Sequence, residues 1–259
     1  MKPEDVERIK ELLPTDLGSE EIRRKFAADI LRRSVFSARM ASASYLAKVR
    51  EVCTLLSAGK INEADARSQL LAVLEQMGHS PQDEGGLRNP ASIRRLNLIL
   101  ETQTAMASSV ARLSGQTEAT ANLFPAWQLA RLETRSVPRT DWMARWRAAG
   151  EACGWEGAVE RPMIALKSSP IWAELGAGAG GFTDTLGNPY PPFAYSSGLD
   201  WVDVSRETCE KLGLVKPGED VAAPEGGSLT PGERDIAEAI ERYGFPEIGD
   251  LDIKGLDLR

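Results

Sequence analysis

Histidine is nearly absent from this sequence, with a single residue, His79, among 259. It stands in HSPQDEGGLRN, a polar stretch that predicts a loop. A nucleophile activated by histidine needs an imidazole that is held firmly by its surroundings. A zinc site without further histidines or clustered cysteines would need carboxylates alone, which is rare. The sequence therefore predicts no catalytic residue and no metal site, and we expect a protein that is not an enzyme.

Cysteines and long apolar runs are also scarce. Cys53, Cys153 and Cys209 are far apart and odd in number, which favours reduced, mostly buried thiols over a disulfide framework. No run of about 18 apolar residues exists, so no helix is expected to span a membrane. The charged start MKPEDVERIKELLP lacks the apolar core of a signal peptide. We therefore expect a protein that is made and kept in a cytoplasm, without a membrane partner.

An excess of basic residues is absent too. The formal net charge is −7. Residues 216–259 hold five Lys/Arg and eleven Asp/Glu, a net of −6, which leaves −1 for the preceding residues. This balance excludes the basic footprint of a general nucleic-acid binder. The acidic tail is interpreted as a solvated segment, or as one that docks on a basic partner.

The N-terminal part of the chain carries a helical pattern. A short amphipathic helix is expected over residues 3–13. Apolar residues then recur at three- and four-residue steps from Ser19 to Ala58 without an intervening Pro or Gly, which predicts one helix of about forty residues. Asn62 is expected to cap a second helix that runs through Met77, and the short link makes the two antiparallel neighbours. Together these helices predict an N-terminal helical arm over residues 1–85.

A Trp-rich module is expected to follow the arm, over residues 86–215. All six tryptophans of the chain lie between Trp127 and Trp201. The predicted fold class is α+β and mostly helical, with a long N-terminal helical hairpin, short helices and a small β element. Within the module we expect helices over 93–113, 126–134, 141–149, 169–175 and 205–212, and short strands over 193–195 and 201–204. In the tail, 216–259, a capping box at Thr230-Pro-Gly-Glu233 predicts one further helix.

The stretch Gly176-Ala-Gly-Ala-Gly-Gly181 formally matches GxGxxG. A dinucleotide fingerprint follows a buried strand and opens a helix. Here a predicted helical turn comes before the glycines, and no run of β-branched residues lies nearby. We interpret the stretch as a flexible or tightly turning loop and expect no cofactor.

Several short motifs follow one another between about Arg94 and Leu214. They are Thr102-Gln103, Pro125-Ala-Trp127, the segment from Val137 through Trp142 to Gly150, Pro170-Ile-Trp172 and Pro191-Pro192-Phe193. Their order resembles the head-morphogenesis, or minor head protein, family of tailed bacteriophages, which is described as phage Mu F-like. Trp142 stands where many relatives have histidine, and Ser197-Gly-Leu-Asp-Trp201 replaces their Gly-Cys-x-Cys. A metal or disulfide that relatives build on those residues is therefore not expected here.

The resemblance implies a minor virion component. Such proteins associate with the portal protein or other capsid proteins and act in head assembly or DNA delivery. The expected location is the capsid near the portal vertex, after a stage in the host cytoplasm. Some relatives carry toxin domains after the shared module, and the acidic tail of this chain is too short for one.

The stretch GNPYPPFAYSSGLDW, residues 187–201, combines three prolines, four aromatics and one charged residue. It is expected to close the module by packing on the tryptophans, or to form a docking patch on the portal or shell. The apolar stripe of the long helix is expected to pack on the portal or on copies of the chain. The candidate partner contacts are Ile22, Phe26, Ile30, Tyr190, Phe193, Tyr195 and Trp201.

Two alternatives remain open on the sequence alone. One is a DNA-contacting virion protein that uses basic residues of the arm together with Arg131, Arg135, Arg139, Arg145 and Arg147. The other is a hydrolase that uses paired carboxylates, which a pocket with several perturbed acidic groups would favour.

Overall fold

The computed structural model describes residues 1–26, 30–31, 33–133 and 139–224 of the chain. It confirms the predicted fold class, α+β and mostly helical. No helix in these ranges is both long enough and apolar enough to cross a bilayer. The elements are α1 (Pro3–Ile9), β1 (Glu11–Leu12), α2 (Ser19–Lys25), β2 (Ser34–Val35), α3 (Ala43–Ser57), α4 (Glu63–Gln76), a 3-10 turn (Gly86–Arg88), α5 (Ile93–Ser114), α6 (Glu118–Leu123), β3 (Ala126–Arg131), α7 (Trp142–Ala152), β4 (Ala158–Val159), β5 (Ile164–Leu166), α8 (Ile171–Ala177), β6 (Leu199–Val204) and α9 (Arg206–Lys211).

The single helix expected from Ser19 to Ala58 is wrong. Helix α2 ends at Lys25, and the next residue, Phe26, has extended backbone. Strand β2 then pairs in parallel with β1, and α3 begins only at Ala43, after its cap Ser42. The stretch from Ser34 to Ser37 contains weak helix formers. It is extended because its backbone pairs with that of β1, while apolar residues on either side enter different clusters. The same pairing ends α1 at Ile9 instead of residue 13.

Helices α3, α4 and α5 confirm the helices that the apolar spacing of the sequence predicts in these regions. Asn62 caps α4, with its side chain accepting from the backbone N–H of Asp65 at 2.9 Å. Helix α5 begins after Ser92 and ends at Gly115, as its glycine predicts. The three helices bury a common apolar cluster that includes Leu46, Leu70 and Leu96.

The N-terminal residues pack on the module instead of projecting from it. Helix α1 contacts both α3 and α5, and α3 also contacts α5. Val6 of α1 belongs to the same buried cluster as the tryptophans. Helix α5 is therefore the shared support of the first 85 residues and the module.

The helix expected over 126–134 is also wrong, because residues 126–131 form the central strand β3. The four-stranded sheet has the order β4-β5-β3-β6, and all its pairs are antiparallel. Residues of β3 alternate between two buried faces: Trp127 and Leu129 enter the tryptophan core, while Ala126 faces a second cluster with Ile164 and Val204. Short apolar runs with a buried residue on both faces are ambiguous between helix and strand. Here the pairing of β3 with β5 and β6 makes the segment a strand.

The other short elements agree with the sequence in part. Helices α7, α8 and α9 and strand β6 lie where they are expected. Residues 193–195 are not a strand, since their ladder contact is the isolated bridge between Thr185 and Ala194. The prolines just before them lack the N–H that a ladder requires. The capping box at 230–233 lies outside the described residues.

Candidate functional site

Most of the candidate partner contacts are buried inside the chain. Ile22 and Phe26 pack with Leu13 and Leu31, at relative exposures of 0% and 4%. The remaining candidates behave similarly: Tyr190, Phe193 and Trp201 are buried, whereas Ile30 and Tyr195 are half-buried. Five of the seven side chains therefore serve the protein's own core and offer no surface to a partner in this structure.

The aromatic side chains of 187–201 close the tryptophan core. Trp201 stacks on Trp127 with ring centroids 3.7 Å apart and an interplanar angle of 9°. Phe193 lies over Trp172 at 6.0 Å and meets Trp201 edge-on at 6.2 Å. Such offset and edge-to-face pairs stabilise a core beyond the area they bury. Internal packing thus accounts for the composition of the stretch.

A set of arginines holds the same stretch in place from outside. Arg139 pairs with Asp184 and donates to the Tyr195 carbonyl at 2.8 Å, and Arg131 donates to the Ser197 carbonyl at 3.1 Å. Arg145 bridges Asp184 and Asp141, each at 2.8 Å, and lies 4.3 Å from the centroid of the Phe182 ring.

These contacts shift the titration of Asp184. Burial alone would raise the pKa of the Asp184 carboxyl, but the hydrogen bonds and charges of Arg145 and Arg139 outweigh it and hold that pKa below 3.8. Arg147 in turn pairs with Glu160. The DNA-contact alternative relied on five arginines of the module in addition to the arm. Four of them, Arg131, Arg139, Arg145 and Arg147, are bound to groups of the chain itself, and Arg135 lies outside the described residues.

The glycine-rich stretch forms the end of α8 and the turn after it. Gly178 ends the helix in the left-handed conformation, with φ of 82°. At Gly176 a Cβ would come within 1.8 Å of the Asn188 carbonyl oxygen, so the backbone of 187–188 crosses the helix where a side chain would stand. Gly176 permits this close approach, and residues 178–181 form a turn, in agreement with the interpretation as a tight turn.

A buried ion pair lies where α1 meets α5. The Lys10 ammonium is 3.2 Å from Glu7 Oε2 and donates to Gln103 Oε1 at 2.9 Å. The Lys10 and Glu7 side chains are 1% and 0% exposed. Burial raises the pKa of the Glu7 carboxyl, and Lys10 partly opposes that shift. Gln103, which accepts this hydrogen bond, also lines a cleft beside α5.

A cleft of about 560 Å³ with a mainly apolar lining lies between α2, α5 and the loop before Asn188. We call it the arginine-rimmed cleft. Four arginines line it together with aliphatic side chains and with polar side chains of α5 and the 183–188 loop. The residues used below are Arg23, Arg39, Arg88, Arg95, Leu98, Ile99, Thr102, Gln103, Met106, Asp184, Asn188 and Tyr195.

The four arginines of the rim differ in their engagement. Arg95 is buried and donates to Ser37 Oγ at 2.8 Å and to main-chain carbonyls, and Arg23 donates to the Thr185 carbonyl at 2.9 Å. Arg39 and Arg88 are exposed, and their guanidinium groups have no hydrogen-bond or ion-pair partner among the described residues. Burial lowers the pKa of the Arg95 guanidinium; Tyr45 opposes this, and the positive charge of Arg39 adds to it.

A second concavity of about 800 Å³ runs between α5 and the 191–200 segment. Four carboxylate residues line it: Glu63, Glu101, Glu133 and Asp200. Both oxygens of Asp200 are held by Arg112 at 3.3 Å, and Arg112 also donates to the Trp201 carbonyl at 2.7 Å. Asp200 and Arg112 thus fasten the outer edge of β6 to α5. Across the described ranges, no group of three or more His, Cys, Asp or Glu residues has the arrangement of a metal site.

Sequence reasoning missed the arginine-rimmed cleft. Arg39 was expected inside the long helix and Arg88 in the loop after the second helix, so nothing placed them together. Asn188 belongs to the stretch 187–201, whose expected role came from its aromatic residues. One signal was present: Thr102 and Gln103 are polar residues on the buried side of α5. Polar groups at core positions of a helix indicate either an internal hydrogen-bond network or a site. Gln103 accepts the hydrogen bond of Lys10 and also lines the cleft.

Comparison with known proteins adds no relative. No family model, no curated protein and no solved structure matches this chain.

Proposed function

We propose that the chain is a minor structural and assembly protein of a tailed-phage head, which associates with the portal or with inner capsid proteins. The observation that supports this proposal is the convergence of the resemblance-bearing motifs. Trp127 of the Pro-Ala-Trp motif lies 6.2 Å from Trp172 of the Pro-Ile-Trp motif, and Trp172 lies 6.0 Å from Phe193 of the Pro-Pro-Phe motif. Three motifs that stand far apart in the sequence thus pack against one another in one core, as expected for the parts of a single module.

Association would use the side chains that the core leaves outside. Leu123 and Phe124 are neighbours at the end of α6, with relative exposures of 64% and 40%. Ile93 and Leu132 are 60% and 57% exposed. Large apolar side chains at the centre of an interface carry much of its binding energy. The proposed mode of action is therefore surface complementarity with other virion proteins, with the acidic tail as a further contact for a basic partner.

The first test is composition. Mass spectrometry of purified virions from the phage that encodes this chain should detect it at a small, constant copy number relative to the portal. Its absence from complete virions would refute the proposal.

The second test is reconstitution with the cognate portal. Deleting residues 1–60 would remove α1 and α3 from the core. Point substitutions are therefore preferable. Leu123→Asp should weaken co-sedimentation with the portal about tenfold or more, because a charge would enter the contact. Ala64→Asp, at an exposed position on α4, introduces the same charge elsewhere and should leave binding unchanged.

A further inference from the structure

The arginine-rimmed cleft concentrates positive charge around an apolar interior. Arg23, Arg39, Arg88 and Arg95 line it together with one carboxylate, Asp184, which is already paired with Arg139 and Arg145. Like charges gathered at a low-dielectric wall repel one another and focus a positive potential on the opening. An anion at the rim would relieve that repulsion.

The two exposed arginines are placed for such an anion. Arg39 has a left-handed backbone, with φ of 55°, and its N–H donates to the Leu17 carbonyl at 2.9 Å. Few non-glycine residues take this conformation, and those that do are enriched at functional sites. Arg88 ends the 3-10 turn and lines the same cleft, and the Arg95 guanidinium donates to the carbonyls of both Arg88 and Ala38, the residue before Arg39. Guanidinium groups bind carboxylate or phosphate with charge-assisted, often bidentate hydrogen bonds.

The interior of the cleft fits a ligand with an apolar body and a few polar groups. Leu98, Ile99 and Met106 form aliphatic wall along α5. Asn188, which also lines the cleft, is 1% exposed, and its Nδ2 has no hydrogen-bond partner among the residues that the structure describes. A buried donor without a partner is destabilising unless a ligand or water accepts its hydrogen bond. Sites for small molecules typically have this composition and a volume of roughly 300–1,000 Å³.

We propose that the arginine-rimmed cleft binds a small amphiphilic anion. The carboxylate or phosphate head lies at Arg39 and Arg88, and the aliphatic body lies along Leu98, Ile99 and Met106. This site is separate from the exposed apolar residues of the proposed assembly function and does not depend on that function.

The test uses the full-length chain with four probes in isothermal titration and thermal unfolding. Octanoate carries both head and body, octan-1-ol carries the body without charge, and inorganic phosphate carries a head without a body. Octanoate should bind in a 1:1 ratio and raise the unfolding temperature with concentration. Octan-1-ol and phosphate should each bind at least about tenfold more weakly, because each lacks one half of the recognition. The fourth probe, a free peptide of residues 247–259, represents an acidic protein segment.

Substitutions locate the site. Arg39→Gln and Arg88→Gln should each weaken octanoate binding about tenfold, as expected for the loss of one charge-assisted contact. Arg94→Gln is the matched control: Arg94 is exposed on α5, one residue from Arg95, and does not line the cleft. It should bind octanoate as the wild type does. In methyl NMR spectra, octanoate should shift the Met106 signal and leave that of Met77 unchanged.

Any of three results would overturn the proposal. The first is equal octanoate affinity of the wild type and the Arg39→Gln/Arg88→Gln double variant. The second is octan-1-ol or phosphate binding as tightly as octanoate. The third is binding of the 247–259 peptide without any binding of octanoate, which would assign the cleft to an acidic protein segment.

Discussion

The buried pair of Glu7 and Lys10 offers the sharpest test of the fold. In the variant Lys10→Met the aliphatic stem is retained, and the ammonium that faces Glu7 and Gln103 is lost. Because both side chains are almost fully buried, the Glu7 carboxylate would remain without a counter-charge in a low-dielectric site. Removing one partner of a buried pair typically lowers the free energy of unfolding by about 3–5 kcal/mol. We expect a loss in that range at pH 8.

The loss should depend on pH, with a sign that follows from Glu7. Burial raises the folded-state pKa of Glu7 above 4.5, its unfolded value, so stability falls as pH rises through the folded pKa. Without Lys10 that pKa rises further, and a protonated Glu7 needs no counter-charge. Lys10→Met should therefore be less destabilising at pH 5 than at pH 8. Urea unfolding followed by far-UV circular dichroism measures both values.

Two further variants complete the experiment. In the double variant Glu7→Gln/Lys10→Met neither charge is present, so it should be more stable at pH 8 than Lys10→Met alone, and the cycle gives the coupling energy. Lys211→Met removes an exposed lysine, whose side chain is 72% exposed, and should change stability by less than about 0.5 kcal/mol. A loss below about 1 kcal/mol for Lys10→Met, or one identical in the Glu7→Gln background, would refute the reasoning.

Three other predictions concern the module. Gly176→Ala should destabilise the protein by about 3 kcal/mol or more, because its Cβ would meet the Asn188 carbonyl backbone at 1.8 Å; thermal unfolding measures it. In the native protein, Cys153, which is half-buried, should react first with a thiol reagent such as DTNB, while the two buried cysteines stay protected. Wild-type stability should fall as pH drops below 3.8, because the pairing of Asp184 with Arg145 is lost on protonation, and Asp184→Asn should show a smaller fall.

Each of these has a control. Gly115→Ala places a methyl group at ordinary contact distance, 3.4 Å from the Ala111 carbonyl oxygen, and should be nearly neutral. All three thiols should react once the protein is unfolded in denaturant. Equal losses for the two glycine variants, rapid native reaction of three thiols, or identical acid profiles of wild type and Asp184→Asn would contradict the corresponding argument.

The elements that the sequence predicted well are those specified by local chemistry. Helix α4 begins after Asn62 because its side chain satisfies a backbone N–H, and α5 ends at Gly115 because glycine is a common helix stop. Strand β6 and the short helices α7, α8 and α9 were also predicted, whereas α6 was not. The aromatic stretch 187–201 was expected to pack on the tryptophans, and it does.

The errors occurred where pairing with distant residues overrode the local pattern. The spacing of Ile22, Phe26 and Ile30 fits one helix face, but residues 34–35 pair with β1 and so interrupt the helix. Likewise 126–131 is apolar enough for a helix, and its neighbours β5 and β6 make it a strand. The burial of the predicted contact residues has the same origin, since an apolar side chain looks alike in sequence whether it meets a partner or the chain's own core.

Local sequence was enough to predict a mostly helical α+β chain with capped helices, a tryptophan-rich module and reduced cysteines. The packing of the folded chain was needed to show which apolar residues are internal, that Glu7 and Lys10 form a buried pair, and that Arg39, Arg88 and Asn188 line one cleft. Caps and glycine stops act within about four residues of chain, whereas a cleft is formed by segments that meet across 150 residues of sequence, from Arg39 to Asn188.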